Sequence, residues 1–148
     1  MGLDSARLRR FVRHALVAVT DDAAPDGAQL RAAFDVLCDQ LWFRLRPLFG
    51  ELAIRALFAR ALHVSQAEFR WLEGVTLETG NRCALQKLDT VSRDLAPNVL
   101  ADGLAAILAH EITLLSAFIG EDIVLPVVEQ SWGSSSMTDR SASSEGDP

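Results

Sequence analysis

Glu111 interrupts an otherwise apolar helical stripe. Projected at about 100° per residue, Leu100, Leu104, Ile107, Leu108, Leu114, Leu115 and Phe118 fall on one side of a helix, and Glu111 falls among them. A carboxylate in a core is costly unless it is paired or protonated. The expectation is therefore a partner, an arginine from a neighbouring helix: Arg44, Arg46, Arg55 or Arg82. In that role Glu111 is a buried polar pin that fixes helix register. The competing roles for such a carboxyl are a contact with a partner chain, a general acid, or a metal ligand.

His110 stands next to it, and His110 with Glu111 is the constellation on which an enzyme or cofactor-binding reading would rest. The spacing does not extend into a known chemistry. Leu114 occupies the second histidine position of HExxH, and no Glu-x-x-His precedes His14, His63 or His110, so the di-iron bundle pattern is absent. No GxxxxGK[ST], GxGxxG or GxSxG occurs. The serines cluster in 133–148, with no fold to pre-organise a nucleophile. No residue is assigned a catalytic role, and neither metal nor cofactor is expected.

A second candidate lies at Ala59 to Leu72, where Ala59, Val64, Phe69 and Leu72 match the packing positions of a helix-turn-helix. Ser65-x-x-Glu68 reads as a capping box that would open a recognition helix. Against a DNA-binding regulator stand His63 at the usual glycine position, and Glu68 and Glu73, which would repel phosphates. The alternative is one uninterrupted amphipathic helix.

The third signal is apolar surface. Val36 and Phe43 project away from the stripe of Leu30, Phe34, Leu37, Leu41 and Leu45, and Trp42 lies at its edge. Leu57, Val64 and Trp71 sit off the face carrying Ile54, Phe58, Leu62, Phe69 and Leu72. A helix apolar on two sides is either central in its bundle or meets another chain. Val36, Trp42, Phe43, Leu57 and Trp71 are thus the expected contacts of a non-catalytic adaptor or regulatory subunit, binding a protein partner or a second copy, since aromatic anchors concentrate interface energy.

The elements holding these residues are helical by periodicity. Helices are expected over 5–19, 26–46 with Asp26 as N-cap, 51–73, 81–95 and 98–118, the last running on to 132 with a bend at Gly120 or Pro126. A kink or short connection is expected at 46–50, where Pro47 disfavours helix at Arg46. The 74–81 loop has room for a short extended piece at Val75 and Leu77. No internal repeat is evident. The fold class that follows is all-α, a single bundle of about five helices over 1–132, with a disordered acidic tail over 133–148.

Composition agrees with a folded domain. The chain has 148 residues, 49% of them apolar and 23% charged, enough for a core and too hydrophobic for global disorder. The net charge of -6 argues against bulk binding of nucleic acid or anionic membrane. Residues 121–148 hold six acids and one base, Arg140, so the body is nearly neutral. Cys38 and Cys83 form no CxxC and read as buried reduced thiols. The N-terminus lacks the apolar run of a signal peptide, and Asp102, His110 and Glu111 interrupt the apolar stretch at 100–119; the expectation is a cytoplasmic protein with no membrane segment. The first helix, with its four arginines, is expected to be a solvated bundle face.

Leu114-Leu-Ser-Ala-Phe-Ile-Gly-Glu-Asp-Ile123, with Ala59-Arg-Ala-Leu-His-Val-Ser-Gln-Ala-Glu-Phe-Arg-Trp-Leu72, resembles a group of small all-helical bacterial proteins with a C-terminal Phe-Ile-Gly-Glu segment. The likeness covers roughly residues 40–132. It implies an all-helical fold and carries over no activity, cofactor or site residue. Pro126 departs from the pattern of that terminal helix. The same segment has a physical reading: Gly120 permits a corner, and Glu121 and Asp122 favour the N-terminus of a following helix.

Overall fold

The computed structural model describes residues 4–77 and 85–132. The expected tail at 133–148, and Cys83 and Arg82, lie outside the described residues. The fold is all-α, with five long helices, one short one and a two-residue β-ladder: α1 (Ser5–Thr20), α2 (Gly27–Phe49), α3 (Glu51–Glu68), β1 (Thr76–Leu77), β2 (Leu85–Gln86), α4 (Leu88–Ser92), α5 (Pro97–Ile119) and α6 (Glu121–Trp132).

Local chemistry sets most boundaries. Asp4 caps α1 by accepting from the backbone N–H groups of Ala6 and Arg7. Asp26 and Gln29 close a reciprocal capping box on α2, at 2.8 and 2.9 Å, satisfying two donors that a helix start leaves unpaired. Pro97 occupies the first turn of α5, where its missing N–H costs nothing. The extended piece expected near Val75 is β1, paired antiparallel with β2.

Four boundaries differ from the sequence expectation. Pro47 does not end α2, which runs through it to Phe49; the carbonyl that Pro47 leaves without an N–H is that of exposed Phe43, one turn earlier, where water can serve it. The third helix stops at Glu68, not Glu73, because Phe69 turns extended (φ -124°, ψ 103°). The Gln66 side chain holds that turn, donating to the carbonyls of Leu72 and Val75 at 3.1 and 2.8 Å, before a single 3₁₀ turn at Arg70–Leu72. Among the described residues the fourth helix is only Leu88–Ser92, with Leu85 and Gln86 drawn into the ladder. The terminal stretch breaks at Gly120 (φ 108°) rather than bending there, and Pro126 lies inside α6.

α5 is the axis of the bundle, packed against α1, α2, α3 and α6. Leu100, Leu104, Ile107, Leu108 and Leu115 are buried on one side of it, and Ala101, Ala105, Ala109 and Ile112 on another. The helix with more than one buried side is therefore α5, not α2 or α3. Small residues let neighbours approach closely. The Trp71 ring lies so near Gly103 that a methyl group at that position would overlap it. At the end of α6 Trp132 stacks on Phe11, centroids 6.4 Å apart, and donates from Nε1 to the carbonyl of Leu37 at 3.3 Å. One side chain thus ties α6 to α1 and α2. By length and apolarity Pro97–Ile119 could cross a bilayer despite Asp102, His110 and Glu111, but 72% of its apolar window is covered by the rest of the bundle.

Candidate functional site

Glu111 is buried as predicted, 2% exposed, but among the described residues no arginine partners it. Its Oε1 meets no hydrogen-bond partner among the described residues. Arg44 instead donates to Gln130 at 3.2 Å and Arg46 faces Glu51; both guanidinium groups are long enough to reach water and do so, avoiding the cost of following a carboxylate into the core. Burial alone pushes the Glu111 carboxyl well above its ordinary range, which favours its protonated form. Around it Cys38, Leu41 and Trp42 of α2, Ile54 and Phe58 of α3 and Leu108 of α5 line a cavity of about 10 Å³. That is room for one water molecule. Chemically the site offers a carboxylic acid and a thiol in an apolar surround.

His110, next in sequence, points elsewhere, and the structure does not bring it together with Glu111. Its Nε2 lies 3.1 Å from Glu68 Oε1 and 3.1 Å from an Arg9 nitrogen; which of the two it engages follows its tautomer. Arg9 and Glu68 form a bidentate pair, both contacts 2.7 Å. The Arg9 guanidinium holds the Glu68 carboxyl below its ordinary range, against the opposing effect of partial burial. This clasp joins α1, the end of α3 and α5. His14 and His63 are exposed on α1 and α3, and among the described residues no three His, Cys, Asp or Glu side chains gather as a metal site.

The helix-turn-helix geometry is absent. α3 continues through His63 without a turn, and Ser65, instead of capping a recognition helix, is buried and donates to the carbonyl of Ala61 at 2.9 Å. Without glycine at position 63 the backbone has no reason to leave the helix. Glu68 faces the bundle's own Arg9 rather than a groove of DNA.

Of the five expected partner contacts, Trp42 is only 7% exposed and packs inside its own chain, because α2 is seated deeply enough between α3 and α6 for its stripe edge to be covered. Leu57 and Trp71 are half-buried against the core, the latter held over Gly103. Val36 and Phe43 do face outward, 41% and 69% exposed.

A larger apolar surface lies at one end of the bundle. Leu48-Phe49-Gly50-Glu51 and Phe118-Ile119-Gly120-Glu121 build two corners in the same way. Gly50 and Gly120 take positive φ of 84° and 108° with extended ψ, and each donates its N–H back to the preceding helix at 2.7 Å. A side chain at either would be strained, and the glutamate after each sits in the first turn of the next helix, favoured by its dipole. The corners meet: Phe49 and Phe118 stack with centroids 5.6 Å apart. Around that pair Leu48, Leu52, Phe118 and Ile123 are exposed by 56, 86, 66 and 47%. Phe118 is central in the α5 stripe by periodicity and open because the stripe outruns the bundle. No family model, no curated protein and no solved structure matches this chain.

Proposed function

We propose that this chain is a helical adaptor or regulatory module that binds another protein through the twin-corner end of the bundle. The observation that supports it is the exposure of Leu48, Leu52, Phe118 and Ile123 around the Phe49–Phe118 stack. Apolar side chains scattered singly on a surface are ordinary, whereas four gathered on a rigid pair of corners are the kind of feature that marks an interaction site. Aromatic Phe118, already held by Phe49, brings contact area with little ordering cost. Phe43 and Val36 give α2 a second, smaller apolar strip.

A photo-crosslinking amino acid placed at Leu52 or at Phe118, and for control at exposed Asp94 before the opposite end of α5, tests this in the native cell. The expected result is one discrete adduct shared by the two corner positions and missing from position 94. Its mass distinguishes a second copy of the chain from a different protein. Adducts at none of the positions, or the same smear at all three, would overturn the reading.

A further inference from the structure

Two hollows lie between α1 and α5, one basic and one mainly apolar with Asn98 at its rim, and they share Arg13. The first, about 280 Å³, is lined by Arg9, Arg10, Arg13, Phe69, Asp102 and Ala105. The second, about 380 Å³, is lined beyond Arg13 by Val17, Ala24, Pro25, Leu30 and Ala101, among others. In a chain of net charge -6, three guanidinium groups in one hollow are a local reversal of sign.

Their pairing determines what the hollow can take. Arg9 is committed to Glu68, and Arg13 to Asp102. Arg10 makes no hydrogen bond or ion pair to any described residue. Three guanidinium charges against the carboxylates of Glu68 and Asp102 leave one positive charge unmatched. One unmatched charge suits a monoanion; a dianionic phosphate would carry its second charge against Asp102. A planar carboxylate also matches the fork of a guanidinium. The second hollow has no charged lining residue except Arg13 at its border, so it suits a hydrocarbon chain. The second hollow already has the volume of an ordinary small-molecule site, roughly 300–1,000 Å³, and the first adds about 280 Å³ beside it.

We propose that the two hollows form one binding site for a medium-chain carboxylate, its head group on Arg10 beside Arg13 and its alkyl chain laid past Arg13 against Val17, Pro25 and Leu30. The site lies between α1 and α5, closed by Phe69 at one end and by the α1–α2 turn and Leu30 at the other, and the inference is independent of the twin-corner surface.

The probe is octanoate, titrated into the full chain and followed by amide chemical shifts, with octanol and inorganic phosphate in parallel. Arg10 and Ala24 are both exposed, so Arg10→Gln and Ala24→Asp test head and tail without disturbing the core, and circular dichroism verifies that each variant is folded. The expected result is saturable octanoate binding with shifts at residues lining both hollows. Each variant should weaken it about tenfold, the loss of one charge-assisted contact or the cost of a charge beside the chain. Octanol and phosphate should each bind about tenfold more weakly than octanoate. Lack of saturation, unchanged affinity in Arg10→Gln, or phosphate binding as tightly as octanoate would overturn the proposal.

Discussion

Replacing Glu111 by Gln should make this protein relatively more stable the higher the pH. The native state holds Glu111 neutral and buried, with its pKa raised far above the ordinary 4.5 by desolvation. The unfolded chain ionises it freely. Above pH 4.5 the unfolded state therefore releases a proton that the folded state keeps, and native stability falls by about 1.4 kcal/mol per pH unit until the folded-state pKa is reached. Below 4.5 both states are protonated and the penalty vanishes. Gln has the same shape and does not titrate. It carries its own cost, roughly 1–3 kcal/mol for an amide buried without partners, but that cost is the same at every pH. Urea unfolding of both proteins between pH 4.5 and 7.5 should thus show the variant gaining on the native protein as the pH rises, by up to about 1.4 kcal/mol per unit until the native carboxyl ionises. The difference between the two proteins isolates position 111, because every other titrating group is common to both. A difference that stays constant across this range would mean that Glu111 ionises in the folded state as it does in water, and the burial argument would fail.

Gly103→Ala should destabilise the fold by about 1–3 kcal/mol, since the new methyl would overlap the Trp71 ring; a shift in urea midpoint at unchanged slope, with altered tryptophan fluorescence, checks it. Glu68→Gln should cost under about 1 kcal/mol at neutral pH, because the pair with Arg9 is 28% and 41% exposed and screened by solvent. The Glu68 pKa is lowered in the native state, so that contribution is present above the ordinary carboxylate range and should vanish as the pH falls through the native pKa. Asp26→Ala should lose the side-chain half of the α2 capping box, the acceptor for the Gln29 N–H, about 1 kcal/mol, seen as a lower melting temperature with unchanged helix content at 25 °C.

The parts of the fold legible in the sequence were those written locally. Asp26 three residues before Gln29, Pro97 at a helix start and Gly120 at a corner each act over a single turn, and the helices begin or break there. Where the third helix ends was not legible, because Gln66 holds the turn by reaching carbonyls six and nine residues further on. The stripe on α5 correctly buried Glu111, yet periodicity cannot say which neighbour faces it. Of the candidate arginines on neighbouring helices, Arg44 and Arg46 take Gln130 and Glu51 instead. The Arg9–Glu68 pair spans 59 residues and had no sequence signal. Trp42 is buried rather than outward-facing, because a helix projection gives direction but not the depth at which a helix is seated. The corner surface has its own sequence signal: two apolar residues followed by Gly-Glu occur twice, at 48–51 and 118–121, and apolar side chains at a tight corner have little core to enter.

The arrangement around α5 also bears on the order in which the chain leaves the ribosome. A segment this apolar would be an aggregation hazard if it emerged bare into water. Three of the four helices that sheathe it, α1, α2 and α3, lie upstream in the sequence, so most of its wrapping is already synthesised when it appears. Only α6 comes after. Moving α5 to the front of the chain by circular permutation would remove that protection and leave a greasy rod waiting for its cover.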